Sequence, residues 1–121
     1  MAIRKLAAVD QVSSYELADW GAVPEPIRSS PSQLTGTDFA NEDGSEVGVW
    51  ESTPGRWRRQ ITAMEMCYFL EGECSYTDEQ GVVTEISAGD LLYFPANSLG
   101  IWDIKTKCRV TIQPPLNYSL S

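Results

Sequence analysis

From residue 37 to residue 112 the chain alternates between short apolar runs and clusters of turn-forming residues. Proline fixes φ, and Gly, Asn and Asp tolerate positive φ, so these clusters reverse the chain direction. Strands that recur every ~8–12 residues between turn signals are typical of an all-β sandwich or barrel. The predicted strands are Thr37–Ala40, Glu46–Ser52, Trp57–Ile61, Glu65–Leu70, Cys74–Thr77, Val82–Ile86, Leu91–Phe94, Gly100–Ile104 and Arg109–Ile112.

The first part of the chain has a different composition and predicts a different structure. Proline removes backbone donors, so a segment rich in proline forms neither a helix nor a central strand. Residues 1–36 are therefore predicted to form an extended arm on the surface, anchored by apolar side chains such as Trp20, and residues 37–121 to form the barrel. The residues that carry this prediction are Pro24, Pro26, Pro31, Ser29, Ser30 and Ser32.

The charge and the cysteines restrict the environment and the partners. Seventeen acidic residues against nine basic ones give a formal net charge of −8, which repels nucleic acid and anionic membrane surfaces. No apolar run is long enough to span a bilayer, and the apolar stretch near the start is too short for a signal peptide. The three cysteines, an odd number without a secretory signal, favour a reducing cytoplasm. We expect a cytoplasmic protein with neither nucleic-acid nor membrane partners.

Two blocks of sequence resemble the two motifs of the cupin superfamily, whose members are small jelly-roll barrels. The first block joins residues 53–60 to residues 65–73, and the second joins residues 87–97 to residues 100–103. The phrases at Gly48–Gly55 and Tyr68–Gly72 are similar to those of small single-domain cupins of unknown function. These belong to the branch that holds the cupin domains of ureidoglycine aminohydrolase and the ethanolamine-utilisation cupin. The resemblance implies an all-β jelly-roll barrel that follows the N-terminal arm.

The metal ligands that the resemblance implies are mostly missing. The first cupin motif has two histidines, a glutamate and a glycine; Glu65 and Gly72 match, but Arg58 and Gln60 stand at the histidine positions. The third histidine, in the second motif, falls on Gly100, and the chain contains no histidine. One carboxylate beside an arginine does not hold a transition metal tightly. We therefore expect neither a metal nor a cofactor.

The remaining polar residues predict a site for a small molecule. Side chains two apart on a strand share a face, so Glu65 and Cys67 should point into the barrel together, and Arg58 and Gln60 should face them. Gly100 should leave space where an imidazole would stand. Convergent polar groups in an aromatic-lined barrel mouth are typical of ligand sites. The predicted ligand-binding residues are Arg58, Gln60, Glu65, Cys67, Trp102 and Trp50, the last with a register open by one residue.

Three functions fit this pattern. The first is a metal-independent cupin domain that binds a small polar or anionic metabolite. The second is a small enzyme that uses Glu65, the candidate catalytic residue, as acid or base on an amino- or ureido-type acid. The third is a dimeric structural or interaction module with a filled barrel. We expect a homodimer in each case, because an exposed sheet edge needs a cover and the arm could cross to the partner.

Overall fold

The computed structural model describes residues 5–11, 17–27, 31–40 and 46–113, and these residues form ten β-strands. The strands are β1 (Ala18–Ala22), β2 (Gln33–Ala40), β3 (Glu46–Ser52), β4 (Gly55–Ile61), β5 (Glu65–Glu71), β6 (Glu73–Asp78), β7 (Val83–Ser87), β8 (Leu91–Phe94), β9 (Ser98–Ile104) and β10 (Cys108–Gln113). Each strand predicted from the sequence lies within or overlaps one of β2–β10. In this described part, no helix is long and apolar enough to cross a bilayer.

The strands form two antiparallel sheets that pack face to face. The larger sheet has the order β1-β2-β3-β10-β5-β8, and the smaller one has the order β4-β9-β6-β7. Consecutive strands from β3 to β10 cross between the two sheets in most steps, as in a jelly roll. The predicted all-β jelly-roll fold is therefore confirmed.

Aromatic rings fill the space between the sheets. Trp102 of β9 is fully buried, and its ring centroid lies 4.9 Å from that of Tyr76 and 5.7 Å from that of Phe94. Trp50 and Phe69 close the cluster from the larger sheet, at 6.2 and 6.1 Å from Trp102. Edge-to-face and tilted contacts at these distances add about 0.5–1.5 kcal/mol per pair beyond the burial of apolar area. The centre of the barrel is thus a packed core.

The N-terminal residues cover sheet edges. Strand β1 pairs with β2, whose first residues, 33–36, belong to the segment predicted as an arm. The segment 25–27 then runs along the open edge of β4, where the Ile27 N–H donates to the Arg56 carbonyl at 2.8 Å and the Arg58 N–H donates to the Glu25 carbonyl at 3.0 Å. An edge position tolerates Pro26, which has no N–H to donate. This contact shields part of an edge that would otherwise be open.

A buried ion pair lies on the outer face of the larger sheet. Glu51 of β3 and Arg109 of β10 are direct cross-strand partners, and Arg109 Nη2 lies 3.3 Å from Glu51 Oε1. Arg109 Nη1 also donates to the Val9 carbonyl at 3.2 Å. Val9 therefore contacts this face, and residues 48–52 of β3 are buried on both faces of the sheet.

Candidate functional site

Strand β4 presents a different set of side chains to the interior than the sequence analysis predicted. Trp57 and Ile61 are buried and Arg59 is half-buried, whereas the side chains of Arg58 and Gln60 are exposed. The predicted inward placement of Arg58 and Gln60 is wrong by one residue. Ile61 is the last inward-facing residue of β4, and three residues, 62–64, connect it to Glu65 at the start of β5. The sequence does contain a signal for the correct register. The apolar residues 57 and 61 share one face of the strand and the polar residues 56, 58 and 60 share the other, so the apolar face should point inward.

Glu65 points between the sheets and is held there by two neighbours. Its Oε1 lies 3.4 Å from Arg59 Nη1, and the Cys67 thiol donates to the same oxygen at 3.5 Å. Burial raises the pKa of the Cys67 thiol well above its ordinary value, and the negative charge of Glu65 adds to the effect. Cys67 is therefore a neutral thiol at physiological pH and not a nucleophile, since the thiolate is the reactive form.

The space predicted beside Gly100 is filled, which corrects the sequence analysis. A Cβ at this position would collide with the ring of Tyr76 and with the Thr77 carbonyl. Trp102 was predicted to line the ligand site, but its side chain is fully buried in the core.

These residues do not fit a metal ion. The carboxylate of Glu65 faces a guanidinium and a protonated thiol, and Tyr76 occupies the side from which a third ligand would come. Among the described residues no three His, Cys, Asp or Glu side chains converge. Transition-metal sites need several deprotonated donors around one point, and this set supplies one.

A cavity of about 340 Å³ opens at the edge of β4, beside Arg59. The tryptophan side chains of three strands dominate its wall, and we call it the indole recess. Trp20 reaches it from β1 because Gly36 has no side chain: a Cβ there would collide with the indole ring. The residues that define the recess are Trp20, Leu34, Trp50, Trp57, Arg59 and Ile112, with Glu25 and Glu46 at its rim.

Arg58 and Gln60 also border the indole recess. The backbone groups of Arg56 and Arg58 point away from β9, because both bond to the segment 25–27. Backbone groups alternate along a strand, so the N–H and C=O of Gln60 point in the same direction, beyond the end of that segment. Both residues therefore border the recess, although their side chains do not point into the barrel as predicted.

Two indole N–H groups of the recess are buried without an acceptor. Trp50 Nε1 and Trp57 Nε1 have no hydrogen-bond partner among the described residues, and both side chains are almost fully buried. A buried donor left unpaired costs about 1–3 kcal/mol. Both side chains belong to the wall of one cavity, the indole recess.

Two carboxylates, Glu46 and Glu65, lie near Arg59 at this end of the barrel. A smaller cavity of about 180 Å³ adjoins the indole recess and is lined by Arg59, Glu46 and Glu65, among others. Partial burial raises the pKa of Glu46, and a hydrogen bond and the negative charge of Asp38 add to this, while Arg59 acts in the opposite direction. The site thus combines one guanidinium with several carboxylates and is not strongly basic.

We expect Glu46→Gln to stabilise the protein at pH 7. Folding favours the protonated form of Glu46, so its contribution is fully present below the ordinary pKa of 4.5 and is lost as the pH rises through the raised value. Because the group is largely exposed, the gain should stay below about 1 kcal/mol. Urea denaturation of the variant and the wild type should show a difference that shrinks as the pH falls from about 7 to about 4. A difference independent of pH would contradict this prediction.

Comparison with known families gives a match over most of the barrel. The model of one family, the EutQ-like cupin domain, matches residues 39–110, which is more than half of the chain. A comparison with curated proteins finds no match.

Solved structures with the same fold include several small proteins. A DUF861 family protein from Thermotoga maritima is 28% identical over 55% of this chain and 76% of its own, with a TM-score of 0.54. A putative ethanolamine utilization protein Q from Salmonella typhimurium is 22% identical over 70% of this chain and 72% of its own, with a TM-score of 0.58. A DUF1255 protein from Acidithiobacillus ferrooxidans is 20% identical over 90% of this chain and 99% of its own, with a TM-score of 0.62. At the two lower identities the likeness shows the fold alone.

Proposed function

Because this chain belongs to the EutQ-like cupin family, we propose that it is a metal-independent cupin domain that binds a small polar metabolite in the indole recess. The observation that carries the proposal is the pair of buried, unpartnered N–H donors on Trp50 and Trp57. A ligand oxygen that accepts from either indole removes the cost of burying it unpaired.

The lining of the recess defines the chemistry of the ligand. Trp20, Leu34 and Ile112 supply apolar walls, which suit a molecule with a flat or aliphatic body. Arg59 and the backbone of Gln60 offer further polar contacts at one end. The residues that border the recess include two acidic ones, Glu25 and Glu46, and two basic ones, Arg58 and Arg59, so the charges nearly balance. We therefore propose an uncharged or zwitterionic molecule with acceptor oxygens, such as an amino acid.

The ion pair at Glu65 supports binding without a metal. Arg59 already neutralises the one carboxylate that the cupin motif retains. The positive charge that a metal would bring to the barrel mouth is thus supplied by a guanidinium. In this arrangement Arg59 can turn between Glu65 and a ligand oxygen, because it lines both cavities.

A binding screen tests the proposal. Purified protein is first treated with EDTA and then titrated by calorimetry with amino acids, ureido acids, carboxylic acids and sugars. For a compound that binds, Trp57→Phe should weaken affinity about tenfold, because it removes one buried hydrogen bond and keeps an aromatic ring at this position. Arg59→Met should weaken it as well. Arg56→Met is the matched control: it removes a guanidinium from the same strand on the outer face and should leave affinity unchanged.

Two outcomes would contradict the proposal. One is that no compound in the screen binds the metal-free protein. The other is that Trp57→Phe and Arg56→Met change the affinity equally.

The use of Glu65 as an acid or base stays a prediction of the sequence. If a bound compound is also converted, Glu65→Gln should abolish turnover and spare binding.

A further inference from the structure

The two sheets leave a second opening on the side of the barrel away from β4. Strands β7 and β8 are the last strands of their sheets and do not pair with each other. Between them lies a cavity of about 500 Å³, which we call the β7–β8 cleft and which shares no residue with the indole recess. This volume is within the range of about 300–1,000 Å³ that small-molecule sites occupy.

Exposed apolar side chains gather around the β7–β8 cleft. Side chains from both faces of β8 border it, because β8 is an edge strand. Four of the large hydrophobic residues that are exposed to solvent line this one cavity: Val82, Leu91, Tyr93 and Leu99. Scattered exposed hydrophobic residues are ordinary, but their concentration around a cavity marks a binding surface.

A buried hydroxyl without a partner belongs to the same cavity. Tyr76 lines the β7–β8 cleft and is only 6% exposed, and its hydroxyl has no hydrogen-bond partner among the described residues. Burial raises the pKa of Tyr76; the positive charge of Arg59 acts in the opposite direction, and the negative charges of Asp78, Glu65 and Glu79 add to the rise, so the hydroxyl stays neutral. Its oxygen can accept a hydrogen bond from a ligand.

The charge around the cleft selects the ligand. Asp78 and Glu79 line it, and no lysine or arginine does so within the part of the chain that the structure describes. One oxygen of Asp78 accepts from the N–H groups of Gln80 and Val82, both at 2.9 Å, and this fixes the acidic turn at the rim. The net charge of −8 adds to the attraction for a cation.

We propose that the β7–β8 cleft binds an organic cation, an ammonium group attached to an apolar body. The ammonium donates to the Glu79 carboxylate and to the Tyr76 oxygen. It also lies near the rings of Tyr93 and Phe94, whose faces attract cations. The apolar body packs against Leu91 and Leu99.

Three probes of matched shape test this site: 2-phenylethylammonium, 2-phenylethanol and 3-phenylpropanoate. In calorimetric titrations of the full chain, the ammonium should bind at least tenfold more tightly than the alcohol, and the carboxylate should not bind measurably. Glu79→Gln should weaken ammonium binding about five- to tenfold. Glu85→Gln is the control: it removes one exposed carboxylate from β7, outside the cleft, and should change affinity less than twofold.

Tyr76→Phe separates a role in binding from a role in folding. Because the hydroxyl has no partner in the described residues, its removal should not lower the unfolding midpoint, while it should weaken ammonium binding several-fold. The proposal is overturned if the carboxylate binds as well as the ammonium, or if Glu79→Gln and Tyr76→Phe leave affinity unchanged. It is also overturned if light scattering shows a dimer and ammonium binding strengthens only on dilution, since a second copy then covers the cleft.

Discussion

Trp102→Ala is expected to cost about 3–5 kcal/mol of the free energy of unfolding, the largest loss from one truncation in the core. The indole is fully buried and contacts four other rings, so its removal leaves a cavity that both sheets border. The total free energy of unfolding of a small domain is about 5–15 kcal/mol, so the variant should be marginally stable at best. Differential scanning calorimetry should show a midpoint lower by roughly 10–20 °C.

The matched control for this prediction is Trp20→Ala. It removes the same side chain from a position that is 40% exposed and packs against Gly36 at the barrel mouth. We expect a loss of about 1 kcal/mol, because less apolar area leaves the protein interior. Equal losses from the two variants would show that the barrel centre is not the packed aromatic core described above.

The second large effect is expected at the Glu51–Arg109 ion pair. Both side chains are almost entirely buried, at 4% and 7% exposure, and Lys107 Nζ lies 3.4 Å from Glu51. Arg109→Met would leave the Glu51 carboxylate inside the structure with only part of its compensation. Breaking a buried pair by removing one partner typically costs about 3–5 kcal/mol. We expect a loss near the lower end of this range, about 3 kcal/mol, because Lys107 remains.

A double-mutant cycle distinguishes the pair from its separate residues. Replacing both partners by methionine removes both buried charges, so the double variant should recover most of the loss of the Arg109 variant. Arg109→Met should also increase proteolysis near residues 5–11, since it removes the contact with the Val9 carbonyl. Additive losses in the cycle, each below about 1 kcal/mol, would contradict a buried, coupled pair.

The strands were predictable because their signals are local. Turn residues such as those at 78–81 and 87–90 interrupt the strands regardless of what packs against them, and the predicted runs match β3, β5 and β8 closely. The family motifs likewise located Glu65, because a glycine at a fixed distance follows it. These features depend on the chain's own neighbours in sequence.

The site residues were less predictable because they depend on register and on distant strands. The inward residues of β4 were predicted by counting back from Glu65, and the assumed spacing was one residue too long. Because a shift of one residue turns every side chain of a strand to the other face, Arg58 was predicted to point inward in place of Arg59. The filling of the space at Gly100 by Tyr76 brings together β9 and β6, and no local signal in either strand predicts it. The pairing of Glu51 with Arg109 joins strands far apart in sequence.

The covering of β4 by residues 25–27 illustrates an intermediate case. The prolines predicted an extended segment on the surface, and in the structure residues 25–27 bond to the edge of β4. Which edge the segment covers depends on where the rest of the chain places β4, so composition alone did not locate the indole recess.

Binding at the barrel mouth without a metal is tested most directly by the heteronuclear NMR signals of the indole N–H groups. The chain has four tryptophans, and single Trp→Phe variants assign their signals. When EDTA-treated protein is titrated with a compound that binds, the signals of Trp50 and Trp57 should shift strongly, as each donor gains an acceptor, while that of Trp102 stays in place. Metal-independent binding in the indole recess would be contradicted if the Trp102 signal shifted while those of Trp50 and Trp57 did not. It would also be contradicted if the signals shifted only after a divalent metal was added.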